Sequence, residues 1–238
     1  GVIRALRTLP YYIEFAEAIN NGAEAIVLAD GEFYVPSAAK GKTLAIYGSE
    51  ATTIKVASVQ GEGLDYNFEG TTAVLNNVTI STVNGNYKGY ARPASLTFNE
   101  CTFTNTYSLY GAEQIFNNCT FNVSGDKYNV WTWGASAATF NGCTFNCDGK
   151  SMLLYGQANT VLTINDCTFN DNGTISGKAA IEIGNDYGKS YNLFVNNATV
   201  NGFEINDKGI NTGTTLWANK NSMSQEKLNV VVDNVDVY

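Results

Sequence analysis

The string Asn-x-Cys-Thr-Phe occurs four times, at residues 99–103, 117–121, 141–145 and 165–169. Its cysteines are 18, 24 and 24 residues apart. Self-similarity at such a period marks a solenoid, in which each unit buries its apolar side only against its neighbours. The column extends in weaker form to Val78, Ala198 and Val235. Ahead of it stand Leu75, Phe98, Phe116, Phe140, Ile164, Val195 and Val232, each followed by a pair drawn from Asn, Asp, Glu and Gly. Asn, Asp and Gly tolerate left-handed backbone angles, so the pair reads as a corner between two strands. After the corner, period-2 alternation turns Cys and Phe to one face and Thr to the other, the pattern of a half-buried strand.

One such strand per turn, with like residues stacked, specifies parallel in-register pairing, and the uneven spacing places loops elsewhere on the turn. "AEAIVLADGEFYVP" and "KTLAIYGSEATTIKV" are short apolar strands broken by Asp30-Gly31 and Gly48-Ser49. Before them, "LPYYIEFAEAINNG" carries Pro10 for a first turn, Tyr12, Phe15, Ala16 and Ile19 on one face, and Gly22 as a stop. A terminal turn of a solenoid needs such a lid. The expectation is an all-β protein: a single-stranded right-handed parallel β-helix of about eight or nine coils, with a short N-terminal capping helix. Residues 1–22 form the N-terminal segment and cap, and 23–238 the solenoid, together one domain of roughly 40 Å at ~4.8 Å per strand.

The order of helix, "AIVLADGEFYV", "KTLAIYGSEATTIKV" and N-x-C-T-F coils resembles the pectate-lyase-like superfamily of right-handed parallel β-helices over nearly the whole chain. It is most similar to bacterial secreted or surface proteins built from β-helix repeats, and to some phage-associated ones. That scaffold hosts lyases, glycosidases, adhesins and spikes, so the resemblance implies a fold and leaves the activity open. Enzymes of the superfamily bind Ca²⁺ with clustered Asp and abstract a proton with Arg or Lys, or use several Asp beside a His. This chain departs from both patterns.

Histidine is absent, which removes Ser-His and Cys-His nucleophiles and His-ligated zinc. The net charge of −8 leaves no basic stripe for nucleic acid, and no apolar run reaches membrane-spanning length. The four repeat cysteines read as small buried hydrophobes: parallel side chains suit a disulfide poorly and a ladder is not a tetrahedral metal site. Cys147 lies outside the column and is the one candidate for a reactive thiol.

A second column follows the corner strands: Tyr110-Gly111, Trp133-Gly134, Tyr155-Gly156, Ile183-Gly184 and Trp217-Ala218, with Tyr90-Ala91 a weaker member. Facing outward, its rings would be a platform for sugars. The intervening Leu109, Thr132, Leu154, Glu182 and Leu216 include polar residues, which favours turning Trp131, Trp133, Leu153, Tyr155, Ile181 and Ile183 to the core. The surface candidates are then the loop tyrosines Tyr87, Tyr107, Tyr128, Tyr187 and Tyr191. For an enzyme, the candidates are Arg92, the one arginine within the coils, with Asp148, Glu182 and Asp186. Glycoside hydrolysis needs two carboxyls about 5–10 Å apart. "NDNG" at 170–173 and "GNDYG" at 184–188 offer oxygens for Ca²⁺, though few, and no other cofactor or metal site is indicated.

The expected function is a non-catalytic, extracellular or cell-surface module that binds a glycan or another surface ligand, adhesin-like in character. The alternatives are a polysaccharide lyase or glycosidase working with Ca²⁺ or paired carboxylates, and a structural spike or stalk component whose C-terminal coil stacks on a partner.

Overall fold

The computed structural model describes residues 2–6, 12–57, 64–82, 88–173, 178–184, 187–203, 216–219 and 227–238. Over these residues the chain winds as a parallel β-helix. Each strand pairs in parallel with its equivalent one turn on, and a single 19-stranded sheet results that does not close into a barrel. Strands Ala25–Leu28, Thr43–Tyr47, Thr72–Asn76, Ser95–Asn99, Tyr107–Asn117, Val130–Asn141, Thr160–Asp171, Tyr191–Asn201 and Leu228–Val237 stack in that order. The helix spans Tyr12–Asn20 and buries Phe15, Ala18 and Ile19. It stops where Gly22 adopts a left-handed φ of 84° and its N–H reaches the Ile19 carbonyl at 2.9 Å. Strand Val2–Leu6, which the sequence pattern does not announce, pairs with Ala25–Leu28.

The repeat does three things at once. Its aromatic rings stack inside: Phe103, Phe121, Phe145 and Phe169 lie at centroid spacings of 4.5, 4.9 and 4.7 Å, nearly parallel. A second file, Phe98, Phe116 and Phe140, runs edge-on to the first. Ring spacing and strand spacing coincide, so each winding buries its aromatic surface at backbone repeat. The residue before each member of the cysteine column takes the left-handed turn: Asn77, Glu100, Asn118, Gly142, Asp166, Asn197 and Asn234 have φ between 50° and 63°. Gly142 also makes room, since a Cβ there would stand 2.5 Å from Asn118 Oδ1.

The cysteines are buried and free. Each ladder thiol donates to the carbonyl of the apolar residue before the corner one winding down. Cys101 reaches Leu75 O at 3.5 Å, Cys119 Phe98 O at 3.3 Å, Cys143 Phe116 O and Cys167 Phe140 O each at 3.4 Å. Cys147 is fully buried too, aligned with Asp171, and burial pushes its thiol up to about 12. The one candidate for a reactive thiol is thus as buried as the ladder thiols, because this strand end turns its last side chain inward.

Amide side chains form ladders along the outside. Asn196, Asn165, Asn141, Asn117 and Asn99 each donate to the Asn one winding down at 2.7–2.9 Å, ending at Asn76, whose own amide donates to Ile46 O at 3.1 Å. A second ladder runs from Asn201 through Asn170 and Asn146 to Asn122. A third runs from Asn234 through Asn197 to the Asp166 carboxylate.

Candidate functional site

The side of the solenoid that precedes the repeat is built from residues 107–109, 130–133, Met152–Leu154, Ile181–Ile183 and Trp217–Asn219. Here the register keeps the expectation for Ile181 and Ile183, which face the core, and reverses it for Trp131, Trp133, Leu153 and Tyr155. Val130, Thr132, Met152, Leu154, Ile181 and Ile183 point inward and are fully buried, whereas Trp131, Trp133 and Tyr155 point outward and are partly exposed. Thr132 is tolerated inside because its hydroxyl is used. It donates to Leu153 O at 3.3 Å and accepts the Tyr155 N–H at 3.2 Å. The column alignment also slips by a residue or two: Tyr110 pairs with Gly134 across a bulge, and Ile181 rather than Ile183 is opposite Trp217.

The outward rings form one cluster. Trp131 stacks on Tyr155 at 5.7 Å, Trp133 lies tilted against Tyr155 at 5.5 Å, and Tyr187 meets both Trp133 and Tyr155 edge-on at 5.8 and 5.4 Å. The Tyr155 and Tyr187 hydroxyls are 2.6 Å apart, a contact that raises the Tyr155 pKa above its ordinary value. Glycine explains how the rings lie down: a Cβ on Gly184 would be 2.5 Å from Tyr155 Cδ2. Tyr155 thus rests flat on the next winding. Tyr187 is 45% exposed, the outermost ring of the cluster.

Of the predicted surface tyrosines, Tyr187 alone among the described residues is exposed. Tyr107, Tyr128 and Tyr191 are buried, because two of them open strands in inward register and the third is tied down. The Tyr107 hydroxyl donates to Gln114 Oε1 at 2.8 Å, and Tyr191 donates to Gly156 O at 3.0 Å while accepting the Gly156 N–H at 2.7 Å. Tyr128 donates to Glu182 Oε2. Tyr87 and Asp186 lie outside the described residues.

Two of the carboxylates put forward for an enzyme, Asp148 and Glu182, serve the loop at 123–129. Glu182, fully buried at the edge of the aromatic cluster, receives Tyr128 and also Lys178 at 3.4 Å. Asp148 accepts the Gly125 N–H at 2.6 Å, and Lys150 pairs with Asp126 and sits 5.5 Å over the Tyr128 ring. Asp148 and Glu182 therefore strap one loop from two sides. Arg92, at a left-handed φ of 50°, pairs with Glu69 at 3.4 Å and lies over Tyr66 at 5.8 Å. Four strand steps, roughly 19 Å at ~4.8 Å each, separate its winding from that of Glu182. Arg92 and Glu182 do not share a site.

Asp171 Oδ1 accepts the Gly173 N–H at 2.8 Å. Among the described residues no group of three or more His, Cys, Asp or Glu is arranged to hold a metal, and no helix is long and apolar enough to cross a membrane. One buried acid escapes sequence reasoning altogether. Asp65 is fully buried at the start of the short turn Tyr66–Phe68, where its Oδ1 accepts the Asn67 N–H at 2.8 Å.

No family model, no curated protein and no solved structure matches the chain.

Proposed function

We propose that the protein is a non-catalytic glycan-binding module of the pectate-lyase-like kind, acting outside the cell or at a cell surface, with the outward cluster of Trp133, Tyr155 and Tyr187 as its platform. One observation carries this reading: three large rings are held rigidly on an outward face by stacking and by a glycine beneath. Flat apolar rings with polar edges suit the C–H faces of sugar rings, while their hydroxyl and indole groups suit sugar hydroxyls. The nearby carboxylate Glu182 is occupied by Tyr128 and Lys178, which supports binding without turnover.

The test is a glycan array with the purified chain, followed by incubation of each hit with the protein and chromatography of the products. Binding without chain shortening is the expected result. Each ring contributes about 1 kcal/mol, so Trp133→Ala and Tyr155→Ala each weaken binding about fivefold. Shortened glycans, or unchanged affinity in both variants, refute the proposal.

A further inference from the structure

We propose a second, independent sugar site: a groove of about 320 Å³ on the Thr-Phe-Asn side of the solenoid, which takes a neutral hexopyranose through its hydroxyls. Asn105, Asn122, Asn146 and Asn172 line it with Thr104, Ser124 and Val123. Its volume falls at the small end of the roughly 300–1,000 Å³ typical of ligand pockets.

The ladders described above show why the groove holds an unfilled donor. Every ladder amide donates toward the N-terminal windings, so each ladder finishes on an amide or acid that must find its own partner. The first finishes on the Ile46 carbonyl and the third on the Asp166 carboxylate. The second finishes at Asn122, because the winding below carries Thr104 at that register position. Asn122 Oδ1 accepts from Asn146 at 2.8 Å, while its Nδ2 has no partner among the described residues. Three amides aligned behind it polarise that N–H₂ group, and it opens into the groove. The hydroxyls of Thr104 and Ser124 and the side-chain amide of Asn172 are likewise without protein partners among the described residues.

Amides and hydroxyls beside one valine methyl surface are the chemistry of a sugar ring, since an amide pairs a donor and an acceptor with two adjacent hydroxyls. Charge selects the class. No ionised side chain lines the groove, and Asp148 and Asp171 stand beside it, bonded to Gly125 and Gly173. An anionic sugar is repelled and a neutral one is not. The site does not rest on the aromatic platform, which belongs to another side of the solenoid.

Side-chain amide NMR of the full chain tests it, with titrations of the methyl pyranosides of glucose, galactose and mannose, and of methyl glucuronoside as the charged comparison. The Asn122 and Asn172 amide signals shift with at least one neutral sugar and tighter than with the uronate. Asn122→Thr, which places at this rank the residue already found one winding below, weakens that sugar about tenfold, a loss matching one hydrogen bond. Ser124→Trp fills the groove and removes the shifts. Trp133→Ala leaves them in place, so the two sites fail or stand separately. Silence of both amides with all three neutral sugars, equal affinity for the uronate, or unchanged affinity in Asn122→Thr and Ser124→Trp overturns the assignment.

Discussion

Asp65 is a buried acid whose removal is predicted to strengthen the fold. It begins a 3₁₀ turn and spends one oxygen on the Asn67 N–H, while its Oδ2 has no hydrogen-bond partner among the described residues. Burial raises its pKa from an ordinary 3.8 to about 7, against the smaller opposing effects of that hydrogen bond and of Lys40. Between those values the folded chain keeps a proton that the unfolded chain has released. The contribution of Asp65 to folding stability therefore falls as pH rises from about 4 to about 7, and levels off above it. At 1.36 kcal/mol for each pH unit, the loss approaches about 4 kcal/mol. Asparagine keeps the acceptor for Asn67 and removes the charge. Urea unfolding at intervals from pH 4 to pH 8 is the assay. The stability of Asp65→Asn should exceed that of wild type by a margin that widens across this window and then stays constant. Parallel curves for the two proteins would refute the argument, since no other group differs between them.

Further outcomes follow from the repeat. Phe121→Ala opens the stacked file between Phe103 and Phe145 and should cost about 3–5 kcal/mol in urea unfolding. Glu100 is a non-glycine corner residue at φ 53°; Glu100→Asn, the residue used at Asn77 and Asn118, should raise stability by about 1 kcal/mol, seen as a higher thermal midpoint. The five thiols, all buried, should be silent to a thiol reagent in buffer and react in full in denaturant, with Cys147 no faster than the others.

What was legible in the sequence is whatever the repeat writes more than once. Cys101, Cys119, Cys143 and Cys167 define register because each winding obeys the same inward-outward parity and the same left-handed corner. The parity of the aromatic side was legible at Ile181 and Ile183 and not at the windings of Trp131–Trp133 and Leu153–Tyr155. Thr132 looks like an outward residue until its hydroxyl is seen bonded to Leu153 O and the Tyr155 N–H, and Glu182 looks exposed until Tyr128 reaches it from 54 residues away. Polarity alone misleads where backbone or loop partners satisfy a buried group. Tyr107 and Tyr191 misled in the other direction, since a tyrosine after a polar loop can as well begin an inward strand. The groove at Asn122 had a signal in the text: rank by rank the third residue of Cys-Thr-Phe-Asn is followed by Asn in three windings and by Thr at position 104, and that change marks where the ladder stops.

The corner, ring and amide bonds of one winding are the same bonds as those of the next. A duplication or loss of one whole 24-residue unit between Asn117 and Asn165 would leave the chemistry at every seam unaltered and change the rod by ~4.8 Å. Reach is thus a trait that unequal recombination can lengthen or trim in fixed increments, whereas a gain or loss of a single residue within Cys-Thr-Phe would throw every spine out of phase.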